Sequence, residues 1–370
     1  MPTYIHQWPS WPHFTWDKDI IAPLLADVKY RQGRLLGRME GLGFTLKEEA
    51  NLQTLTIDVI KSSEIEGEIL NPEQVRSSIA KRLGLDVAGI VEVIDRNVEG
   101  VVEMMLDATQ HYQELLTDER LFGWHAALFP SGRSGMYKIV TGQYRNNQKE
   151  DPMQVVSGAL GREQVHFEAP GSEKLEQEMK LFLHWLNHET TTDAILKAAV
   201  AHLWFVTIHP FDDGNGRIAR AITDMLLSRA DMNPQRFYSM SSQIRAERKA
   251  YYDILESTQK DDLDITGWLQ WFLNCLTKAL ENTAETLASV LKKARFWEIL
   301  ATVNLNDRQR KMLNLMLDNF EGKITSAKWA KITRSSQDTA GRDINDLLVK
   351  GVLLKENAGG RSTSYLLATL

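Results

Sequence analysis

The chain has 370 residues, 43% hydrophobic and 25% charged, with 43 basic and 49 acidic side chains and a formal charge of −6. At about 100 to 200 residues per domain this allows two or three domains, no apolar run approaches the ~18 residues of a membrane helix, and the charge excludes a surface coated throughout in phosphate-binding cations. Cys275 is the single cysteine, so no intramolecular disulfide forms, and the opening MPTYIHQW lacks the basic and apolar regions of a signal peptide; a soluble, cytoplasmic protein is expected.

Three Trp and three Pro fall in the first 16 residues, where proline's fixed φ and missing N–H disfavour a regular helix. An extended arm packed by aromatics is predicted. Apolar residues then recur at three- and four-residue spacing (Ile20, Ile21, Leu24, Leu25, Val28; Leu35, Leu36, Met39, Leu42), predicting a helix from Asp17 to about Gly43. A second helix is expected over 47–65, stopped by Gly67, and a third starts at Asn71-Pro72. Between about 133 and 170 the helical period disappears. Residues 153–170, MQVVSGALGREQVHFEAP, read as one β-hairpin turning at Gly158-Ala159-Leu160-Gly161, the only hairpin expected before the tail. Helices are predicted over 172–187, 193–208, 217–230, 244–259 and 265–300, each with an apolar stripe suited to a bundle.

The last 70 residues form a separate electrostatic unit: 11 basic and 7 acidic side chains give +4, against −10 for the first 300, which hold 32 basic and 42 acidic. Helices at 308–320, 327–331 and 335–350 followed by two strands around Ala358-Gly359-Gly360 predict a winged helix-turn-helix.

The chemistry concentrates in His209-Pro210-Phe211-Asp212-Asp213-Gly214-Asn215-Gly216-Arg217-Ile218-Ala219-Arg220. Pro210 disfavours helix at His209, and a new helix can begin near Gly216. Gly214, Asn215 and Gly216 tolerate unusual φ, so successive N–H groups can face one concavity at a helix N-terminus, a nest for an anion. Arg217 and Arg220 add full charges spaced for one helix face. A carboxylate at Asp213 makes sense beside such a nest if it holds Mg²⁺ on a polyphosphate, and His209 supplies a base of near-neutral pKa. Base, metal ligand, nest and two arginines describe phosphoryl or nucleotidyl transfer.

This run resembles the Fic signature H-P-F-x-[DE]-G-N-G-R-x-x-R at every defined position. The resemblance covers about 47–300 and implies a mainly α, Fic-type helical bundle with a β-hairpin flap, and transfer of AMP from Mg·ATP to a hydroxyl side chain (Ser, Thr or Tyr) of target proteins and of the enzyme itself. It implies that His209 is the general base, Asp213 the Mg²⁺ ligand, Gly214, Asn215 and Gly216 the phosphate nest, and Arg217 and Arg220 the phosphate clamps. Ser62-Ser63-Glu64-Ile65-Glu66-Gly67 places Ser62 and Glu66 on one helix face and is similar to the [ST]-x-x-x-E-[GN] motif of Fic proteins with an N-terminal inhibitory helix. That similarity implies that Glu66 pairs with Arg220, blocks the γ-phosphate site and autoinhibits the enzyme in cis, with Ser62 and Gly67 part of the motif. The hairpin 153–170 matches the flap on which the target docks as an added strand, with Val156, Ser157 and Gly158 near the nucleotide. Tyr251-Tyr252 resembles the aromatic pair that contacts adenine, and Gln259 stands where an Asn is usual.

The domains expected are an aromatic arm and helix (1–46), a Fic catalytic domain with its inhibitory helix (47–300) and a winged-helix-like tail (301–370). A second reading makes the chain a nucleotide-sensing DNA-binding regulator, or a Fic enzyme that removes AMP or moves another phosphate-containing group. Against DNA, the recognition helix would carry Asp338, Asp343 and Asp346 against Arg342 and Lys350; a protein contact or homodimerisation through 301–370 serves the tail equally well. His184 and His188 are spaced i,i+4 but lack the H-E-x-x-H pattern, and Asp261-Asp262-Leu263-Asp264 lacks the glycine of a calcium loop; both read as solvated surface.

Overall fold

The structure is a computed structural model and describes the chain except residues 1, 86–92, 149, 159–161, 163, 318–322, 357–362 and 369–370. After a 3-10 turn at Ile5–Gln7 come α1 (Lys18–Glu40), α2 (Phe44–Ile65), α3 (Pro72–Arg82), α4 (Arg96–Gln110) and α5 (Asp118–Leu128). Two antiparallel hairpins follow, β1 (Arg133–Ser134) with β2 (Tyr137–Lys138) and β3 (Gln154–Ser157) with β4 (Gln164–Glu168). The body continues with α6 (Leu175–His188), α7 (Ala194–Ile208), α8 (Asn215–Asp231), α9 (Met240–Ala246), α10 (Arg248–Gln259) and α11 (Thr266–Ile299). The tail holds α12 (Asp307–Leu317), β5 (Ile324–Thr325), α13 (Ser326–Thr333), α14 (Gln337–Val349), β6 (Leu353–Lys355) and β7 (Ser364–Leu367). The fold is mainly helical.

Local chemistry accounts for most boundaries. Asp17 caps α1 by accepting from the N–H groups of Asp19 and Ile20, and Asn71 caps α3 ahead of Pro72 at its first position, where a missing N–H costs nothing. Helix α7 is apolar all round and buried from Ile195 to Ile208 except at Lys197, as a helix enclosed by others must be. Around it, Ile5, Val28, Leu55, Val101, Phe205, Ile222 and Leu276 belong to one hydrophobic cluster, which therefore includes the arm. Trp11 and Phe14 meet the Trp204 ring edge to face, and Tyr4 and His6 do the same to Phe167 at the base of the flap. A second cluster joins Phe296 and Leu300 to Met312, Leu313, Trp329, Ile344 and Val352, so the end of α11 packs with the tail.

Several expectations need correction. Helices α4 and α5 are additional to those expected from periodicity, and the hairpin β1–β2 precedes the one expected at 153–170. The helix expected over 244–259 is two helices, broken at Glu247 (φ −109°, ψ 30°), whose carboxylate takes bonds from Gln243 and from Lys278 of α11. The tail sheet has three strands in the order β5-β7-β6, because Ile324–Thr325 adds to the two expected. In α14 the buried Asp343 accepts Arg308 at 2.8 and 3.0 Å, and Asp346 accepts Lys350 and Gln309; the count of acids on this helix overstates its free negative charge. The expected turn at 159–161, the wing tip 358–360 and the helix end at 318–320 lie outside the described residues.

Candidate active site

His209 ends α7 in the left-handed conformation (φ 53°, ψ 58°), which is sparsely populated by non-glycine residues and marks a position held by its surroundings. Arg145 does the holding. Its Nε donates to the His209 carbonyl at 2.7 Å, its Nη2 to the Pro170 carbonyl at 2.6 Å, and its backbone N–H to the Pro210 carbonyl at 2.9 Å, so one buried side chain ties the loop after α7 to the end of the flap. The His209 ring sits 3.2 Å from the Val206 carbonyl through Nδ1. A carbonyl only accepts, so Nδ1 carries the proton and Nε2 keeps a lone pair. Burial lowers the His209 pKa to about 4, with the Arg145 charge adding to the effect, and the ring is neutral at pH 7.

The loop 211–215 is closed by the Asn215 amide, which accepts the Phe211 N–H at 3.0 Å and donates to the Phe211 carbonyl at 2.8 Å. Gly214 takes φ +81°, and a Cβ there would lie 2.9 Å from the Phe129 ring. Since the first bond of α8 runs from Ile218 N to Gly214 O, the N–H groups of Asn215, Gly216 and Arg217 are the unpaired donors of a helix start. His125, missed by sequence reasoning, supports this loop from below: its Nδ1 accepts the Gly142 N–H at 3.1 Å, so its Nε2–H donates to the Asp213 carbonyl at 3.2 Å, and the ring stacks on Phe211 at 4.2 Å.

Arg220 is buried, and the end of α2 gives its guanidinium three acceptors. Nε donates to Ser62 Oγ at 2.9 Å, and Nη2 donates to the Ser62 carbonyl at 3.0 Å and to Glu66 Oε1 at 2.7 Å. Gly216 has no Cβ; one would collide with the Glu66 carboxylate. Arg217 lies over the Phe129 ring at 5.0 Å and donates to Glu68 Oε2 at 2.6 Å, a residue the sequence reading passed over because it stands outside the recognisable motif. Arg220 Nη1 and Arg217 Nε are buried and have no acceptor among the described residues. Gly67, at φ +86°, lets the chain leave α2 between the two glutamates.

These groups surround a cleft of about 790 Å³ lined by Glu66, Val156, Ser157, His209, Asp213, Gly214, Asn215, Gly216, Tyr251, Tyr252 and Gln259 among others. Gly158 (φ +109°), Arg217 and Arg220 are not on its wall; the arginines stand behind the carboxylates. The Tyr251 hydroxyl is buried against His202 Nε2 at 2.8 Å, Tyr252 is partly exposed, and Gln259 Nε2 donates to Thr207 at 3.2 Å. Val156 and Ser157 stand on β3, whose other edge has no strand partner among the described residues.

Asp213 fits Mg²⁺ only in a limited way. Its carboxylate accepts from the Ser134 hydroxyl and the Gly214 N–H, and no group of three or more His, Cys, Asp or Glu converges among the described residues. One carboxylate is the usual protein share of a magnesium ion that arrives on nucleotide phosphates. Calorimetric titration of the chain with MgCl₂ alone is therefore expected to show no tight binding; with ATP present binding appears, and Asp213→Asn weakens it about tenfold or more.

Acid stability follows from the buried histidines. Burial lowers the pKa of His125 and His209 to about 4 and of His202 to about 3, while the unfolded chain takes up these protons near 6.5. The unfolded state thus binds more protons between about pH 6.5 and 4, and stability falls with pH across that window by up to about 1.4 kcal/mol per pH unit per histidine. Asp224 and Asp231, pushed up by burial, act in the opposite sense, because the folded chain takes up their protons before the unfolded one does. Melting temperatures are expected to drop from pH 7 to pH 5, and His202→Gln to flatten the drop; a flat wild-type profile contradicts the assignment.

Comparison with known proteins gives the same reading of the region. The Fic/DOC family model matches residues 115–227, and a domain of unknown function, DUF4172, matches 4–85. The protein adenylyltransferase Fic of Drosophila virilis is 28% identical over 240 residues, 64% of this chain and 43% of that protein; the Drosophila yakuba protein of the same name is 33% identical over 136 residues, 35% of this chain and 26% of its own length. The chain thus spans less than half the length of these relatives. A crystal structure of a Fic family protein from Desulfovibrio desulfuricans G20 aligns over 97% of this chain and 98% of its own at 20% identity with a TM-score of 0.51, and a Fic domain containing signaling protein from Bacteroides thetaiotaomicron over 73% and 97%, also at 20% and 0.51. With the signature loop, its helix and the surrounding bundle in place, residues 115–227 of the chain carry a Fic domain.

Proposed function

We propose that this chain transfers AMP from Mg·ATP to a hydroxyl side chain and is held inactive by the end of its own α2. The observation that carries the reading is the convergence around one cleft of a neutral His209 with a free Nε2, a helix start with unpaired N–H groups, and, just behind the wall, two buried arginines that each keep one nitrogen without an acceptor among the described residues. The triphosphate is taken to lie on the N–H groups of 215–217 with Arg217 and Arg220 as clamps. Asp213 would hold the magnesium ion, which neutralises phosphate charge when bound. His209 Nε2 accepts the proton of the attacking hydroxyl, the α-phosphate passes to that oxygen, and pyrophosphate leaves. The open edge of β3 suits a target segment added as a strand, with main-chain bonds presenting its hydroxyl. Tyr252 and Gln259 line the side where the base would rest.

The test is incubation of wild type and Glu66→Gly with cell lysate and ATP labelled at the α- or the γ-phosphate. Label from the α position alone is expected. Label from the γ position would make the chain a kinase, and none from either would end the reading.

Glu68 extends the inhibitory contact to the second arginine. Because Glu68 is half exposed, its pair with Arg217 is worth less than that of Glu66 with Arg220. Glu68→Gln is expected to tighten ATP binding about two- to fivefold, and Glu66→Gly/Glu68→Gln to exceed Glu66→Gly by the same factor. Equal nucleotide dissociation constants for the single Glu66 variant and the double would show that Arg217 is not restrained.

A further inference from the structure

A hydrogen-bonded relay that the transfer chemistry above does not use stands on the flap. Ser157 Oγ lies 2.6 Å from His166 Nε2, and His166 Nδ1 lies 2.6 Å from Glu256 Oε2 on α10. A carboxylate only accepts, so Nδ1 carries the imidazole proton and Nε2 is left to accept from the serine hydroxyl. Hydrogen bonds from Lys260 and His166 hold Glu256 below the usual carboxylate range, which keeps it charged. Serine, imidazole and carboxylate in this order are the arrangement that makes a hydroxyl nucleophilic.

The strand geometry builds the relay deliberately. Register is lost between Val155 and Val156: Val155 faces Phe167 while Val156 faces Val165, leaving His166 as the extra residue of a bulge. Bulges re-aim side chains, and this one turns His166 to the face that carries Ser157. All three relay residues line the same cleft as His209, Gly214 and Gly216. The donors on its wall are the N–H groups of a helix start, with Arg217 and Arg220 behind the carboxylates; these suit phosphate oxygens better than an acyl oxyanion, so the hydroxyl is placed for attack on phosphorus.

We propose that Ser157 is the chain's own AMP acceptor, with His166 as its base and Glu256 positioning the imidazole. The inference rests on the transfer reading above. Ser157 Oγ forms a bond to the α-phosphorus of ATP, the bond from that phosphorus to the bridging oxygen breaks, pyrophosphate departs with the electron pair, and the hydroxyl proton passes to His166 Nε2. The imidazolium so formed is neutralised by Glu256.

The experiment uses full-length Glu66→Gly incubated with Mg·ATP, followed by peptide mass spectrometry and measurement of pyrophosphate release. One AMP on Ser157 is expected; adding Ser157→Ala removes it, and Ser157→Thr retains it at the same position. His166→Asn is expected to lower self-modification at Ser157 about a hundredfold relative to labelling of lysate proteins, and Glu256→Gln by a smaller factor, a ratio that a merely structural tie between flap and α10 would leave unchanged. AMP transfer to lysate proteins or to other residues of the chain, with Ser157 unmodified, would overturn the assignment and leave the transfer reading standing. Absence of AMP transfer to any protein removes both.

Discussion

Glu66→Gly is expected to raise AMP transfer, measured as α-phosphate label incorporated per unit time, by about ten- to a hundredfold over wild type. The magnitude is that of a conformational coupling of roughly 1–3 kcal/mol. Its source is the geometry at Arg220: the guanidinium is buried, and a carboxylate lies 2.7 Å from Nη2, where the proposed function places a terminal phosphate. A buried arginine without an anion is costly, so in the absence of nucleotide the pair persists; with Glu66 removed, phosphate is the available anion, and affinity for ATP should rise with the rate. The α2 helix itself should survive, because Glu66 is its C-cap and glycine is well tolerated at a helix end. Ser62 keeps two bonds to Arg220 in the variant, which leaves the guanidinium oriented for the incoming phosphate. Equal rates in wild type and Glu66→Gly would show that the contact does not restrain the enzyme.

His209→Ala, made in the Glu66→Gly background, is expected to lower transfer by about a hundred- to ten-thousandfold with ATP affinity close to its parent. The split matters: the nucleotide is taken to be held by α8 and the arginines, and the imidazole acts on the acceptor proton. His209 also sits at positive φ, where alanine costs roughly 1–2 kcal/mol, so His209→Asn, which accepts this backbone more readily, separates loss of the base from loss of the loop. Both variants should be inactive and both should bind ATP. With the ring neutral down to about pH 4 in the free enzyme, the acid limb of transfer should lie well below 6.5; a limb centred at 6.5 would place His209 in a more solvated state than this structure gives it.

The signature from His209 to Arg220 was legible because its chemistry is local: twelve consecutive residues supply the loop, the helix start and both arginines. Glu66 could be picked out only through its resemblance to a known motif, since an acidic residue at a helix end is otherwise ordinary surface. Glu68, Arg145, His125 and Ser134 had no local signal. Each acts across 25 to 149 positions of chain, on Arg217, Pro170 and His209, and Asp213, and no periodicity or spacing records such a pairing. The helix α4 is a different case: its buried Val98, Val101, Val102 and Met105 form a stripe that periodicity does express.

Capping, helix period and glycine tolerance are properties of neighbours in the chain, so the helical character, the place of the loop and helix start at 211–217, the residue types around it and the unequal charge of body and tail could all be read from the order of residues. Tertiary structure decided the rest. It brought the end of α2 onto α8 so that two glutamates face two arginines, bent the flap at a bulge so that His166 meets Ser157, and placed Arg145 where one guanidinium fixes both His209 and the flap. Side-chain direction and burial come from packing between distant segments, and those segments are adjacent only after the apolar faces of the bundle have closed around α7.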